Sequence, residues 1–164
     1  AGVTPPFARL PRCVGVLGGV SAMPLLHGRF AHLMANTPPL WVMGGLLGAT
    51  TTRALLPVNA VVIGLGGALV WLFGSSAIHI GASVLVFGWV VFLIARGLVD
   101  RSPITLGAAL VVGVLYSSIL WGVLPGQSGV SWEAHLFGAI AGAAAAALVR
   151  THVHVPRLGG VDLD

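Results

Sequence analysis

Residues 83–99 read SVLVFGWVVFLIARGLV, an apolar run that opens on Ser83 and contains one charged residue, Arg96. Similar runs recur at about 29–48, 55–73, 103–124 and 132–149. Runs of this kind can cross the hydrocarbon core of a bilayer as helices, which takes about 20 predominantly apolar residues. The pattern predicts an all-α fold, a polytopic transmembrane helix bundle of about five spans.

The composition supports a membrane domain and argues against several functional classes. Of the 164 residues, 57% are hydrophobic and 7% are charged, and the mean hydropathy is +1.00. The net charge of +4 comes from eight arginines, with no lysine, against four acids. Because the arginines are scattered singly, they form no basic patch, and we expect no nucleic-acid partner. Cys13 is the only cysteine, which excludes an internal disulfide or thiolate metal site. We expect no metal and no organic cofactor.

The chain divides into three parts. Residues 1–28 carry scattered prolines and a short, glycine-rich apolar stretch, so we expect an N-terminal segment and a membrane-embedded outer loop. Residues 29–150 form the predicted transmembrane core. Residues 151–164 are predicted to be a polar cytoplasmic tail. The chain begins at Ala1 without a methionine, and we expect that an N-terminal piece precedes it.

Arginines in the loops predict the orientation of the bundle. They follow the first, third and fifth runs, whereas the loops at 74–82 and 125–130 carry no charge. The positive-inside rule places the arginine-bearing loops in the cytoplasm. Ser83 and His135 then lie near the outer ends of their helices, at a shared depth. The chain is therefore predicted to be a multi-pass protein of a bacterial inner membrane, with its site toward the outside.

Polar side chains within or beside the apolar runs are the candidate functional residues. An ionisable group at membrane depth costs several kcal/mol unless it is paired, so function is the default hypothesis for it. A serine hydroxyl becomes a nucleophile when a histidine accepts its proton, and the resulting oxyanion needs hydrogen-bond donors. The residues that could supply these roles are His27, His32, Asn36, Ser83 and His135.

Three motifs occur in order along the chain. They are His27-x4-His32-x3-Asn36, Gly81-Ala82-Ser83 and His135-x2-Gly138-x3-Gly142. With these motifs the sequence resembles the rhomboid intramembrane serine proteases, from about Leu10 to Arg150. The family has six core spans, and we expect that the one preceding its outer loop is missing from this sequence.

The resemblance implies a role for each matching residue. Ser83 would be the nucleophile and His135 the general base, without a third acidic member. His32 and Asn36, with the Ser83 backbone N–H, would donate to the oxyanion. His27 would brace the outer loop.

It further implies that Phe87 packs on the catalytic imidazole. Gly138 and Gly142, on the same helical face as His135, would form a flat groove for another helix. The expected substrates are transmembrane proteins, cut near the outer membrane surface.

One residue departs from the family pattern. The rhomboid motif continues Gly-x-Ser-Gly, whereas Val84 follows Ser83 here. A β-branched valine adds bulk beside the nucleophile, which puts turnover in doubt. The alternative hypothesis is therefore a catalytically impaired pseudoprotease that binds membrane helices. A transporter is disfavoured because the polar residues cluster toward one side of the membrane.

Two further residues near the motifs are interpreted without a catalytic role. Glu133 lies two residues before His135, and such neighbours point to different faces of a helix, so we expect no triad. His79 is expected to be a loop residue near the outer surface.

Overall fold

The computed structural model describes residues 23–51, 53–75, 79–126 and 131–149. Most of the expected N-terminal segment 1–28 and all of the expected tail 151–164 lie outside the described residues. Cys13 lies outside them as well.

Helices make up the whole of the regular structure in the described ranges, which confirms the predicted all-α fold. Their bounds agree with the predicted runs to within about two residues at most ends. A 3₁₀ segment, Ser117–Val123, continues the fourth helix, and a 3₁₀ turn, Met23–Leu25, precedes the first. The helices are α1 (Phe30–Thr50), α2 (Leu55–Phe73), α3 (Ser83–Asp100), α4 (Pro103–Tyr116) and α5 (Trp132–Leu148).

Three of the helical stretches have both the length and the apolar character of a membrane span. These are α2, α3 and the continuous stretch Pro103–Val123, with mean hydropathies of 2.0, 1.9 and 2.0. The helix α5 is apolar but shorter, and α1 is less hydropathic because it contains His32, Asn36 and two prolines. The two helices that fall short carry the site residues His32, Asn36 and His135, whereas Ser83 lies on the apolar helix α3.

The centre of the bundle is α3, with 10 of its 18 residues buried. It packs directly on the glycine face of α5. A Cβ on Gly138 would lie 2.5 Å from the Val84 carbonyl oxygen and 3.0 Å from the Val84 Cα, and one on Gly142 would overlap the Gly88 backbone. The flat groove predicted on α5 is thus filled by α3, since small residues permit this close backbone approach.

Polar groups inside the bundle are paired across helices. The indole N–H of Trp89 on α3 donates to Asn59 Oδ1 on α2 at 2.8 Å. Near the end of α3, the Arg96 guanidinium pairs with Asp100 and donates to the Ala146 carbonyl of α5 at 3.3 Å. These contacts satisfy groups that would otherwise be costly to bury.

Candidate active site

A cavity of about 700 Å³ lies at the end of the bundle where α1, α3 and α5 begin, hereafter the site end. Side chains from all three helices line it, together with Ile119 from the 3₁₀ segment. The structure therefore brings together residues that are up to about 100 positions apart in the chain. The predicted site residues that line it are His32, Asn36, Ser83, Phe87 and His135.

Ser83 and His135 face this cavity with complementary chemistry. Ser83 is the first residue of α3 and is 8% exposed. His135 Nδ1 lies 2.9 Å from the Gly122 carbonyl oxygen. Because a carbonyl can only accept, Nδ1 carries the proton, and Nε2 is left with the lone pair that a general base needs. Within the described ranges no hydrogen bond joins the two side chains, so their contact stays a prediction.

The His135 ring is held between an aromatic side chain and a glycine. The Phe87 ring stacks on the imidazole, with centroids 4.1 Å apart and an interplanar angle of 10°. A Cβ on Gly122 would come within 2.9 Å of His135 Nδ1 and 3.0 Å of Phe87 Cζ. The packing of Phe87 agrees with the sequence expectation. Gly122 was missed, because nothing in the sequence separates it from the other glycines.

His32 and Asn36 lie one turn apart on α1. Asn36 is buried, and its Nδ2 donates to the His32 carbonyl at 2.8 Å, which leaves its second N–H for another acceptor. The His32 ring packs against the backbone of Gly81, where a Cβ would lie 2.6 Å from the ring Cε1. Gly81 also has φ +123°, a conformation that favours glycine. Glycine at position 81 thus leaves room for the His32 ring and also permits the positive φ.

His27 contacts the backbone next to Ser83. Its Nε2 accepts from the Ala82 N–H at 3.4 Å, a long hydrogen bond, and its ring lies edge-on to His32 with centroids 5.4 Å apart. Its bracing role stays a prediction.

Glu133 is directed away from His135. Its Oε1 accepts from the Ser75 N–H at 3.1 Å, and its Oε2 lies 4.0 Å from His79 Nδ1. No triad is therefore built from this carboxylate, as the helix geometry predicts. His79 lies in a loop as expected, but its side chain is only 5% exposed, since it packs against these groups.

No metal-binding group was found in the described part of the chain. There, no set of three or more histidine, cysteine or acidic side chains is arranged to hold an ion.

Comparison with known proteins identifies the family to which the chain belongs. The Rhomboid domain family model matches residues 16–152. The chain belongs to the rhomboid family. Members of this family are intramembrane proteases. Three apolar helices within the described residues are long enough to cross a bilayer, and this rhomboid is an integral membrane protein.

The relatives of this rhomboid include mycobacterial proteins. It is 44% identical over 142 residues to uncharacterized proteins of Mycobacterium bovis and Mycobacterium tuberculosis, covering 81% of this chain and 59% of each relative. An uncharacterized protein of Mycobacterium leprae is 41% identical over 143 residues, covering 82% of this chain and 57% of the relative. The chain thus spans less than two thirds of these relatives. No solved structure matches it.

Val84, which departs from the rhomboid motif, is not at the cavity. It is fully buried and packs with Val70 and Ala134 in a small apolar cluster, whereas its neighbour Ser83 lines the cavity. Its Cγ2 fills the space beside Gly66 of α2, where a Cβ would approach it to 3.1 Å. The expectation that Val84 crowds the nucleophile is therefore corrected, because successive helical residues point to different sides.

Proposed function

We propose that this rhomboid is an intramembrane serine endopeptidase that cleaves transmembrane protein substrates near the outer membrane face by a Ser83–His135 dyad. The observation that carries the proposal is the shared cavity, in which a serine and a histidine with a free Nε2 meet His32 and Asn36. These groups supply a nucleophile, a base and oxyanion donors in one place.

The proposed reaction begins when Ser83 Oγ attacks the scissile carbonyl carbon and its proton passes to His135 Nε2. The Nδ1–H bond to the Gly122 carbonyl keeps the ring oriented and stabilises the imidazolium. The carbonyl dipole takes the orienting role that an aspartate has in a triad. His135 then gives the proton to the leaving amine, and water hydrolyses the acyl-enzyme by the reverse sequence.

Oxyanion stabilisation is assigned to three donors. The Ser83 backbone N–H belongs to the first turn of α3, where N–H groups lack helical partners. The second Asn36 N–H and a His32 ring N–H complete the set. Their α1 positions, one helical turn apart, favour convergence on one oxygen.

The substrates are proposed to be single-span membrane proteins whose helix unwinds near the site. A peptide carbonyl within an intact helix is hydrogen-bonded and shielded, so an extended segment is needed for attack at Ser83. The predicted orientation directs the cavity outward, where water for deacylation is available.

The pseudoprotease alternative has lost its main support. It was based on Val84 crowding the nucleophile, and Val84 packs against α2 and α5 instead. The four side chains assigned to catalysis, Ser83, His135, His32 and Asn36, all line the cavity.

The proposal is tested with a serine-directed fluorophosphonate and a model transmembrane substrate in proteoliposomes. The parent chain should be labelled and should cleave, whereas Ser83→Ala and His135→Ala should abolish cleavage while the protein still inserts. His32→Ala and Asn36→Ala should lower the rate by about one to three decades each, since other donors remain. A Ser83→Ala variant that cuts as well as the parent would exclude the serine mechanism. A folded parent that neither labels nor cuts would favour the pseudoprotease.

A further inference from the structure

A second polar cluster borders the cavity at the site end. It joins the end of α2, the loop that leads into α3 and the start of α5. Its members are Ser75, His79, Ser131 and Glu133, hereafter the His79 cluster. None of these residues belongs to the proposed dyad or its oxyanion donors.

The hydrogen bonds of the cluster assign one proton of the His79 ring. His79 Nε2 lies 3.1 Å from the Ser75 carbonyl, which can only accept, so Nε2 carries a proton. His79 Nδ1 lies 2.6 Å from the Ser131 hydroxyl oxygen, with which it shares a hydrogen bond, and 4.0 Å from Glu133 Oε2. The same hydroxyl oxygen accepts from the Ala134 N–H at 3.3 Å and caps α5. With the Ser75 N–H donated to Glu133, the network is closed and consistent.

Because these side chains are buried, losing one of the hydrogen bonds would destabilise the protein. The side chains of His79 and Glu133 are 5% and 10% exposed, and a buried polar group without its partner costs about 1–3 kcal/mol. Space for the ring depends on Gly74, where a Cβ would lie 3.0 Å from His79 Nε2. The ring is therefore enclosed by the backbone of the α2 end as well as bonded to it.

The cluster lies close in sequence to each member of the proposed dyad. His79 precedes Ser83 by four residues, and Ser131 precedes His135 by four. Ser131 itself lines the cavity. The His79–Ser131 bond thus connects the chain segment entering Ser83 to the cap of the helix that carries His135. Farther along the helices, the contact of Gly138 with Val84 sets how closely they approach but provides no directional bond.

We propose that His79 and Ser131 are positioning residues whose hydrogen bond sets the placement of Ser83 relative to His135. Neither side chain takes part in proton transfer, and both act through the dyad. This inference rests on the proposed function, because its catalytic consequence requires a working Ser83. A misplacement of about 1 Å between reacting groups can cost about a hundredfold in rate.

The first test measures the fluorophosphonate labelling rate of Ser83, with kcat and KM for a model transmembrane substrate. His79→Ala and Ser131→Ala should each lower the labelling rate and kcat by about tenfold or more, with little change in KM. The double variant should be no worse than the poorer single one, because both remove the same bond. Ser131→Thr keeps the hydroxyl and should restore the rate.

A matched control comes from α4. Ser102 caps that helix by accepting from the Thr105 N–H, as Ser131 caps α5, but it contacts no histidine in the described structure. Ser102→Ala should leave labelling of Ser83 unchanged. Parental labelling rates in folded His79→Ala, or strictly additive effects in the double variant, would overturn the inference.

A second measurement needs no catalysis. Hydrogen exchange at the Ser75 and Ala134 amides should quicken together in His79→Ala, although that change removes no atom bonded to either amide. Unchanged exchange at both amides would show that His79 does not connect the end of α2 to the start of α5. That conclusion would hold whether or not the variant is active. If the parent chain is not labelled at all, the proposed function fails, and exchange alone decides whether the His79 cluster connects the two segments.

Discussion

At the scale of single residues, the site depends as much on missing side chains as on the polar groups. Gly81 and Gly122 bring backbone against the His32 and His135 rings, at distances that a Cβ would not permit. Protein interiors tolerate little overlap, so these rings owe their positions to the glycines. Mutation at either glycine therefore tests the site without touching a polar group.

Gly81→Ala should lower the cleavage rate by about a hundredfold, because the new methyl displaces His32 from the oxyanion. The control is Gly126→Ala, since Gly126 has φ +103° but nothing within 4 Å of the added Cβ. It carries the same kind of backbone strain without the clash, and it should retain nearly parental activity. Equal losses in the two variants would assign the effect to strain alone.

Val84→Gly should destabilise the protein by about 2–4 kcal/mol without speeding the labelling of Ser83, because it removes a fully buried side chain and adds a helix-interior glycine. Unfolding in detergent and the labelling rate are measured together. Val114→Gly, at a position 69% exposed on α4, is the control for helix propensity. Faster labelling in Val84→Gly would restore the view that valine crowds the nucleophile.

At the scale of elements, the position of α3 is set by close contacts with two neighbours. Its Val84 side chain fits beside Gly66 on α2, and its backbone contacts Gly138 on α5. The valine that departs from the rhomboid motif thus occupies space that the glycine on α2 leaves open. When both members of such a contacting pair are mutated, their effects on the free energy of unfolding are not additive.

Gly66→Ala should cost about 1–3 kcal/mol of stability through overpacking against Val84, and much less in a Val84→Ala background. Gly64→Ala, on the same helix with nothing within 4 Å of the added Cβ, should be neutral or stabilising. The quantity measured is the free energy of unfolding for each member of the double-mutant cycle. Additive effects would mean that the two residues do not share the contact.

At the scale of the whole molecule, the alternating direction of the helices places Ser83 and His135 at the same end of the bundle. Both α3 and α5 begin at the site end, so their first turns share a level. Arg53 and Arg101 follow α1 and α3, which end at the opposite side. Arginine asymmetry predicts that this opposite side faces the cytoplasm.

Cysteine accessibility tests that orientation in a Cys13→Ser background. Arg53→Cys and Arg101→Cys should react with an impermeant thiol reagent only from the cytoplasmic side, and Pro125→Cys only from the outside. Each substitution leaves most of the arginine bias intact. Reaction of positions 101 and 125 from the same side would reject the topology.

Apolar runs and their breaks were enough to predict the helices from sequence, because membrane-spanning backbone must satisfy its own hydrogen bonds and has few alternatives to a helix. The motifs likewise pointed to the polar residues that line the cavity, whereas the contact of Ser83 with His135 stays a prediction. Contacts between distant segments could not be predicted from motif spacing. The Gly122 carbonyl bonded to His135, the buried His79 cluster and the placement of Val84 beside Gly66 were decided only by tertiary packing. In each case the contact joins groups that are distant in the chain, and the local sequence around one group does not identify its partner.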